Sequence, residues 1–252
     1  LVAASLLLGF EGMALTNSSF ILLITFFMTG IGRGSLSNIS NIIVNDASHG
    51  DPAPLNILHT FFAVGAFVAP FIAAWIINRG LSWRLSLVTI SVLSLLMILV
   101  FLYTKIDNNR MKAEKVSKEK GQSLDFLKSI DFHLSTGILF FYIAVEYSIN
   151  GWIVTYLKDR GLLSTSLAQK SLSLLWVIII FGRLFSAYIS KSVDKKSILL
   201  MSSLGGMIFF GLFMISRQPI FIIFNILGSG FCLAGIYPTG IANACDVLKG
   251  SS

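Results

Sequence analysis

The sequence predicts an all-α, polytopic transmembrane helical bundle, and its composition is the first reason. Of the 252 residues, 55% are hydrophobic and only 12% are charged, whereas a water-soluble domain carries about 25% charged residues. The mean hydropathy is +0.81, and the apolar residues occur in long runs. This composition excludes an ordinary soluble enzyme, a disordered chain and a disulfide scaffold, since two cysteines cannot staple a fold.

The second reason is the length of the apolar runs. A helix needs about 20 apolar residues to cross the hydrocarbon core of a bilayer, and most of the runs approach that length. They predict about eight spans of a larger fold, at 1–16, 20–44, 55–77, 86–104, 134–157, 168–190, 198–215 and 220–245. The first run has no basic residues before it, so we interpret it as a truncated membrane helix rather than a signal peptide.

The distribution of positive charge predicts the topology and the division into domains. The connector at 105–133 contains seven of the 19 lysines and arginines, and loops rich in these residues stay on the cytoplasmic side of a membrane. We therefore expect this loop and both chain ends to be cytoplasmic, with the spans in the inner or plasma membrane. The loop divides the chain into an N-terminal half bundle at 1–104 and a C-terminal half bundle at 134–252, each of four helices.

A shift of 200 residues aligns the second run with the last and indicates an internal repeat. The shift places Gly30 on Gly230 and Asp46 on Asp246, and a repeat of about this length is expected if each half is a six-helix bundle. Chance is the alternative explanation of so thin a match. On the repeat interpretation, Asp46 and Asp246 are structural or gating residues.

Glu146 is the carboxylate that lies nearest the middle of a predicted complete span. A charge at mid-bilayer costs at least about 2.5–3.5 kcal/mol, so an ionisable group there indicates a function. Helical spacing puts Tyr142, Glu146 and Asn150 near one stripe, with Trp152 about one and a half turns beyond the carboxylate. Such a stripe suits a sugar or a proton. The alternative is a Glu146 that is neutralised by protonation or by a hydrogen bond and serves only packing.

Further polar residues in the spans are candidates for a cavity lining. The segment GIGRGSLSN contains Arg33 and Asn38 among three glycines, which suits an aqueous cavity or, alternatively, hydrogen bonds between helices. Asn56 and His59 lie near the expected cytoplasmic mouth of the third span, where a solvated histidine is the ordinary alternative. Arg183 lies close to a helix end, where extension to the interface or a structural ion pair is favoured over a substrate contact.

No sequence pattern indicates catalysis or a bound cofactor. The chain contains no Gly-x-x-x-x-Gly-Lys-Ser/Thr phosphate loop and no HExxH segment, and its three histidines are scattered. We therefore predict that the chain is not an enzyme and that it uses no cofactor or metal. The expected partners are a small-molecule substrate, with or without a coupling proton, and the lipid bilayer, but no nucleic acid.

Four stretches together resemble the major facilitator superfamily, and within it the sugar permeases that are similar to fucose:proton symporters. They are GIGRGSLSN, LNILHTFFAVGAFVAPFIAAW followed by WR, EYSINGWIVTYL, and GRLFSAYIS with GFCLAGIYPTG, in this order around the basic loop. The resemblance implies that the chain is a fragment covering helices three to ten of a twelve-helix fold. It also adds Tyr237, in the last stretch, to the candidate substrate contacts.

The chain departs from the family pattern at two places. Ser35 stands where fucose-type symporters usually have a carboxylate for proton coupling. Ala187 and Lys191 replace the first glycine and the aspartate of the loop signature between family helices eight and nine. These departures weaken the expected coupling and gating roles of the two segments.

The resemblance implies a secondary active transporter that moves a small polar solute, expected to be a sugar, by alternating access. Two alternatives stay open. The segment GAFVAPFIAA resembles the helix-five motif of proton-coupled multidrug or solute efflux antiporters, although alanines replace its glycines. A non-transporting, receptor-like membrane protein is the third interpretation, and the polar stripe around Glu146 argues against it.

Overall fold

The structure is a computed structural model, and it describes residues 2–103 and 128–250. Strands are absent from these two described ranges, which consist of helices and short connections. The helices are α1 (Val2–Leu15), α2 (Ser19–Ala47), α3 (Pro52–Asn78), α4 (Arg84–Tyr103), α5 (Ile130–Asp159), α6 (Thr165–Ile189), α7 (Lys195–Ile215), α8 (Pro219–Leu233) and α9 (Ile236–Gly250).

Six helical segments are long and apolar enough to cross a membrane. They are Ser19–Ala47, Pro52–Asn78, Ile130–Asp159, Ser166–Ile189, Lys195–Ile215 and Pro219–Asp246, whereas Val2–Leu15 and Arg84–Val100 are shorter apolar helices. At about 1.5 Å per residue, α1 is shorter than the roughly 30 Å hydrocarbon core. The predicted all-α, membrane-spanning fold is confirmed.

The last predicted span consists of two helices rather than one. α8 ends at Leu233, and α9 begins at Ile236. Pro238 has no main-chain N–H, so the carbonyl of Ala234, four residues earlier, has no helical donor, and the proline ring also disfavours an unbroken helix. The predicted span at 220–245 is thus interrupted at Ala234 and Gly235, while the segment Pro219–Asp246 as a whole is long and apolar enough to cross a membrane.

Short polar residues determine where two of the helices begin. The Ser164 hydroxyl accepts a hydrogen bond from the Leu167 N–H at the start of α6. The Asp194 carboxylate does the same for the Ser197 N–H at the start of α7. Each side chain satisfies one of the N–H groups that the first helical turn leaves without a partner.

The chain packs as two compact units. The first unit comprises 1–42 and 69–124, and the second comprises 43–68 and 125–252. Helices α2 and α3 are thus each shared between the units. The predicted loop at 105–133 lies outside the described residues as far as residue 127, and the predicted half bundles at 1–104 and 134–252 stay a prediction.

In the first unit, α1 packs along α4, and an arginine ties the end of one helix to the start of the other. Arg84, the first residue of α4, donates hydrogen bonds to the carbonyls of Ala14 (3.2 Å) and Thr16 (3.0 Å) and to the Asn17 side chain. These carbonyls lie at the C-terminal end of α1, where helical donors are missing. Arg84 therefore caps α1.

In the second unit, α8 packs against α6 and α7, and α9 packs against α5 and α7. The core between these helices is apolar, and its fully buried members come from every helix of the unit except α2 and α9. The buried core residues are Ala63, Ile153, Leu157, Leu163, Ala168, Leu175, Ile179, Phe213, Ile222, Ile226 and Ala234. This packing brings the break between α8 and α9 next to the C-terminal part of α6, where the candidate site lies.

Candidate functional site

Arg183, on α6, lies at the centre of the second unit. Its side chain is 2% exposed, so the guanidinium must find its hydrogen-bond acceptors inside the protein. Nε donates to the carbonyl of Ala234 at 3.4 Å, and a second nitrogen, Nη1, donates to the carbonyl of His59. Arg183 thereby connects α6 to α3 and to the break between α8 and α9. Its side chain lies inside the second unit, and its predicted structural or gating role stays a prediction.

The break in the last span supplies one of these acceptors. Because Pro238 removes the helical donor for the Ala234 carbonyl, that oxygen is available to Arg183. Two glycines allow the close approach. A side chain at Gly182 would meet the main chain of Phe231, with a Cβ–O distance of 2.6 Å, and one at Gly235 would collide with Ser186.

Glu146, on α5, is the charged partner of Arg183. Its Oε1 lies 3.6 Å from Nη2 of Arg183, and its side chain is 19% exposed. Tyr142, one turn earlier, is buried and interacts through its side chain with both charged groups. The Glu146 carboxylate thus contacts the buried guanidinium of Arg183, while part of the Glu146 side chain remains accessible.

The accessible side of Glu146 faces a small cleft. The cleft has a volume of about 20 Å³, and its polar lining comes from Tyr142, Glu146 and Asn150. The Asn150 amide nitrogen donates to the main-chain carbonyl of Glu146 at 2.9 Å, and its Oδ1 is buried without a hydrogen-bond partner. The predicted stripe of Tyr142, Glu146 and Asn150 is therefore found together at one place.

A row of aromatic rings connects α3 to this site. The rings of His59 and Tyr237 meet edge to face with centroids 5.1 Å apart, and Tyr237 stacks on Tyr142 at 6.0 Å. His59 is buried, and Tyr237 is half-buried. The structure therefore brings two candidates from separate stretches of sequence, His59 and Tyr237, next to the Glu146 site.

Asn56 forms a second polar contact between α3 and α9. It is fully buried, and its amide nitrogen donates to the Pro52 carbonyl at 3.0 Å and to the Thr239 hydroxyl at 3.3 Å. Its Oδ1 has no hydrogen-bond partner. This places Asn56 one helical turn before His59 on α3 and beside the same break in the last span.

Three further predicted candidates are exposed on their helices. Trp152 is 70% exposed and lines a larger apolar groove along α5 and α7 together with Phe210. Arg33 and Asn38 belong to the first unit, where their side chains are exposed on α2. Trp152 does not line the cleft at Glu146, and the predicted roles of all three residues stay predictions.

The two predicted gating residues differ in their surroundings. Asp246, on α9, forms an ion pair with Lys195 at the start of α7. A side chain at Gly50, in the turn between α2 and α3, would lie 2.6 Å from Oδ1 of Asp246. Asp46 is exposed near the end of α2. The Asp246 contact joins three segments of the second unit, and a gating role for either aspartate stays a prediction.

Several residues of the site were not singled out from the sequence. Ala234 contributes a main-chain carbonyl, which leaves no sequence signal, and the same holds for the carbonyl of His59, which was a candidate only through its side chain. Pro238 does leave one, because a proline inside an apolar run marks an unpaired carbonyl four residues earlier. Among the described residues, no three histidine, cysteine, aspartate or glutamate side chains converge on a point that suits a metal ion.

The sequence model of the protein family described as "Major Facilitator Superfamily" matches residues 1–251 of this chain. The chain belongs to the major facilitator superfamily. This is a family of polytopic membrane transporters, so membership agrees with the helical spans described above. The family and the spans together make the chain part of a multi-pass membrane protein.

Individual relatives in the superfamily are distant. A protein named "Protein TsgA homolog" from Yersinia pestis (strain Pestoides F) is 23% identical over 255 aligned residues, which cover 98% of this chain and 62% of the relative. The protein of the same name from Buchnera aphidicola subsp. Acyrthosiphon pisum (strain APS) is 24% identical over 184 residues, or 71% of this chain and 46% of the relative. The chain thus spans about half the length of the relatives that it matches.

Proposed function

We propose that the chain acts in secondary active transport of a small, neutral, polar solute of the sugar class, by alternating access. Glu146 is the group that binds a solute hydroxyl or carries a coupling proton. The observation that carries the proposal is the contact of a partly accessible carboxylate, Glu146, with a buried arginine that also binds α3 and the break between α8 and α9.

The charge of Glu146 affects more than its own helix. A buried guanidinium is strongly destabilised when its anionic partner is lost, because the remaining charge lacks both water and a counter-charge. Protonation or occupation of Glu146 therefore changes the energy of every contact that Arg183 makes. This gives a physical route from a binding event on α5 to the packing of α3 and of the last span, as alternating access requires.

The chemistry around Glu146 favours a neutral solute. Glu146 and Arg183 compensate each other, so the pair presents no net charge to an ion. The hydroxyl of Tyr142 and the amide of Asn150 line the same cleft as Glu146, and the ring of Tyr237 stacks on Tyr142. Hydroxyl and amide groups form hydrogen bonds with the hydroxyls of a sugar. Aromatic rings pack against the apolar face of a sugar ring.

The resemblance of the four sequence stretches supports two finer proposals. The described helices correspond to helices three to ten of the twelve-helix family fold, and the chain belongs to the branch of sugar permeases similar to fucose:proton symporters. The loop at 105–133 is proposed to be cytoplasmic because it contains seven basic residues. Both chain ends are proposed to lie on the same side as this loop.

Uptake measurements with a panel of labelled neutral sugars and polyols test the proposal. Cells that express the transporter should take up at least one of them saturably. Glu146→Ala should weaken its apparent affinity about ten- to a hundredfold, as expected for a lost charge-assisted hydrogen bond of about 1.5–3 kcal/mol. Ser148→Ala is the matched control, since Ser148 lies on the same helix but lines the larger groove.

The panel also separates the alternatives. Extrusion of lipophilic cations without saturable sugar uptake would replace the proposal with the efflux antiporter. Neither activity, at membrane levels that match an active transporter, would favour the receptor-like interpretation.

A further inference from the structure

We propose that the connection between α3 and α4 binds the phosphate of one anionic phospholipid, and that Arg79 is the residue that contacts it. Arg79 follows the last residue of α3, and Arg84 is the first residue of α4. Both belong to the first unit, and neither lines the cleft at Glu146. The site is therefore independent of the transport chemistry proposed above.

The charge of α3 and α4 is entirely positive. The sequence contains no aspartate or glutamate between Asp51 and Asp107, and Arg79 and Arg84 are the two basic residues from 52 to 104. Among the described residues, neither arginine forms an ion pair. The connection thus carries two positive charges without a counter-charge from the protein, and an anionic partner complements it.

The two arginines differ in the hydrogen-bond donors that they have left. Arg84 uses its guanidinium on the end of α1. Arg79 is exposed, and its guanidinium makes no hydrogen bond to any residue that the structure describes. Its Cζ lies 5.1 Å from the ring centroid of Trp75, and a cation–π contact leaves N–H groups free to bind oxygens. Arg79 is therefore an oriented donor for a phosphate, which arginine binds through two parallel hydrogen bonds.

Apolar surface on α3 leads up to Arg79. Ile72 and Trp75 precede Arg79 by seven and four residues and share its face of the helix, and they are 42% and 56% exposed. The helix is long and apolar enough to cross a membrane, and its apolar sequence ends at Ile77. Arg79 therefore lies where the hydrocarbon core meets the headgroups. One lipid can place its phosphate on Arg79 and an acyl chain along Trp75 and Ile72.

A second pair of the same kind lies at the start of α4. Trp83 is 53% exposed, and Cζ of Arg84 lies 5.5 Å from its ring centroid. Residues 79–83 alone join the two helices, so both indoles and both arginines are confined to one short connection. Tryptophan rings are enriched at the level of the headgroups, and two of them favour that depth for the whole connection.

The end of α5 provides a matched comparison. Arg160 also lies over an aromatic ring, with its Cζ 5.7 Å from the Tyr156 centroid. There, however, an acid precedes the arginine, because Asp159 forms an ion pair with Lys158 at 3.3 Å. Part of the positive charge at this helix end is thus compensated within the protein. Arg160 should therefore select an anionic lipid less than Arg79 does.

Native mass spectrometry of the full-length transporter, titrated in detergent with phosphatidylglycerol or phosphatidylcholine, tests the site. We expect the native protein to bind one phosphatidylglycerol more tightly than phosphatidylcholine. Arg79→Ala should weaken this binding about five- to tenfold, as expected for one basic residue at an anionic headgroup. Arg160→Ala is the control and should leave the affinity unchanged. Equal binding of the two lipids by the native protein, or equal losses in the two variants, would overturn the proposal.

Two further variants test the contact itself. Arg79→Lys keeps the charge but not the paired hydrogen bonds, so it should recover only part of the affinity. Trp75→Leu keeps an apolar side chain but removes the ring under Arg79, and it should also weaken binding. Native affinity in both variants would refute the assigned phosphate contact. Unfolding midpoints equal to the native value, expected for substitutions of these exposed residues, exclude misfolding as the cause of a loss.

The same spectra identify any other occupant of this surface. Inorganic phosphate should not displace the bound phosphatidylglycerol, because it lacks acyl chains to lie along α3. Displacement by phosphate would mean that the connection binds a free anion. A dimer that is present in the native protein and lost in Arg79→Ala would mean that a second copy covers the surface. Either result would overturn the lipid as the occupant.

Discussion

Each unit contains an arginine that donates to main-chain carbonyls where a helix ends or breaks, but the two arginines differ in burial and in charge partner. Arg84, in the first unit, is half-buried and binds neutral oxygens at the end of α1. Arg183, in the second unit, is fully buried and adds the carboxylate of Glu146 to its two carbonyls.

The difference separates a structural cap from a candidate functional site. A half-buried guanidinium keeps part of its water, so each of its hydrogen bonds contributes little net stability. A buried guanidinium has lost that water and depends on a negative partner. The partner of Arg183 is a group that can take up a proton, so the second unit contains a contact whose strength a ligand can change.

The largest expected effect is the contrast between the two arginine deletions. Arg183→Ala should reduce the free energy of unfolding by about 3–5 kcal/mol, because it leaves a largely buried carboxylate and an unpaired carbonyl. Arg84→Ala should cost only about 1 kcal/mol. Unfolding of both variants in the same detergent measures the difference, and equal losses would mean that Arg183 is only another helix cap.

A second contrast uses two glycines with left-handed backbones. Gly50 in the second unit has φ +82°, and Gly80 in the first has φ +71°. An alanine at either position pays the left-handed strain of about 1–2 kcal/mol, but only at Gly50 would it also meet Asp246. Gly50→Ala should therefore be the more destabilising substitution in unfolding measurements.

The difference between the two glycine variants should depend on Asp246. In an Asp246→Ala background, the cost of Gly50→Ala should approach that of Gly80→Ala. If Gly50→Ala and Gly80→Ala reduce the free energy of unfolding equally in the otherwise native protein, a side chain at position 50 does not collide with Asp246.

The proline break allows a test of what holds Arg183 in place. Pro238→Ala supplies a helical N–H to the Ala234 carbonyl, so that oxygen no longer needs the guanidinium. The cost of Arg183→Ala should then be smaller by about one hydrogen bond, or 0.5–1.5 kcal/mol. A double-mutant cycle on unfolding free energies gives this number, and strict additivity would exclude the contact as a source of stability.

The smallest expected effect concerns the helix caps Ser164 and Asp194, of which only Asp194 titrates. The hydroxyl of Ser197, together with its main-chain N–H, donates to the Asp194 carboxylate and holds the pKa of that carboxyl below its usual range. Its contribution is therefore fully present above the ordinary pKa of about 3.9 and is lost as the pH falls through the lower, folded value. Asp194→Asn, a cap that cannot titrate, should remove this part of the acid sensitivity.

Unfolding midpoints measured at neutral pH and at acid pH compare Asp194→Asn with the native protein. The two should be closely similar at neutral pH and diverge in acid. An equal fall of the unfolding midpoint in acid in the native protein and in Asp194→Asn would show that another group causes the acid sensitivity.

Much of the fold could be predicted because a bilayer imposes a strong rule on sequence. About 20 apolar residues are needed for each span, and the runs predicted from that rule are helical over the described residues. The break in the last span was not predicted, although Pro238 marked it. Its apolar neighbours hid the interruption, since prolines are common inside membrane helices.

The site was predictable where side chains of one helix compose it. Tyr142, Glu146 and Asn150 recur every four residues and therefore share a face. Trp152 is six residues beyond Glu146, or about 600° of helical rotation at 3.6 residues per turn, which turns it to another face. That rotation agrees with its place in the larger groove.

The remaining contacts of the site carry no sequence signal. Arg183 binds carbonyls of α3 and of the last span, and any residue has a carbonyl. Only the packing of helices that are distant in the sequence determines which ones Arg183 meets.

The most direct test of the central claim, that Glu146 on Arg183 is the transport site of the second unit, compares two transport modes in Glu146→Gln. Glutamine keeps the shape and accepts a hydrogen bond from Arg183, but it cannot take up a proton. If Glu146 couples transport, Glu146→Gln should lose proton-driven accumulation of the solute and retain energy-independent exchange. Glu146→Ala should weaken both accumulation and exchange. Native accumulation in both variants, at matched membrane levels, would contradict the account and leave Glu146 a packing residue.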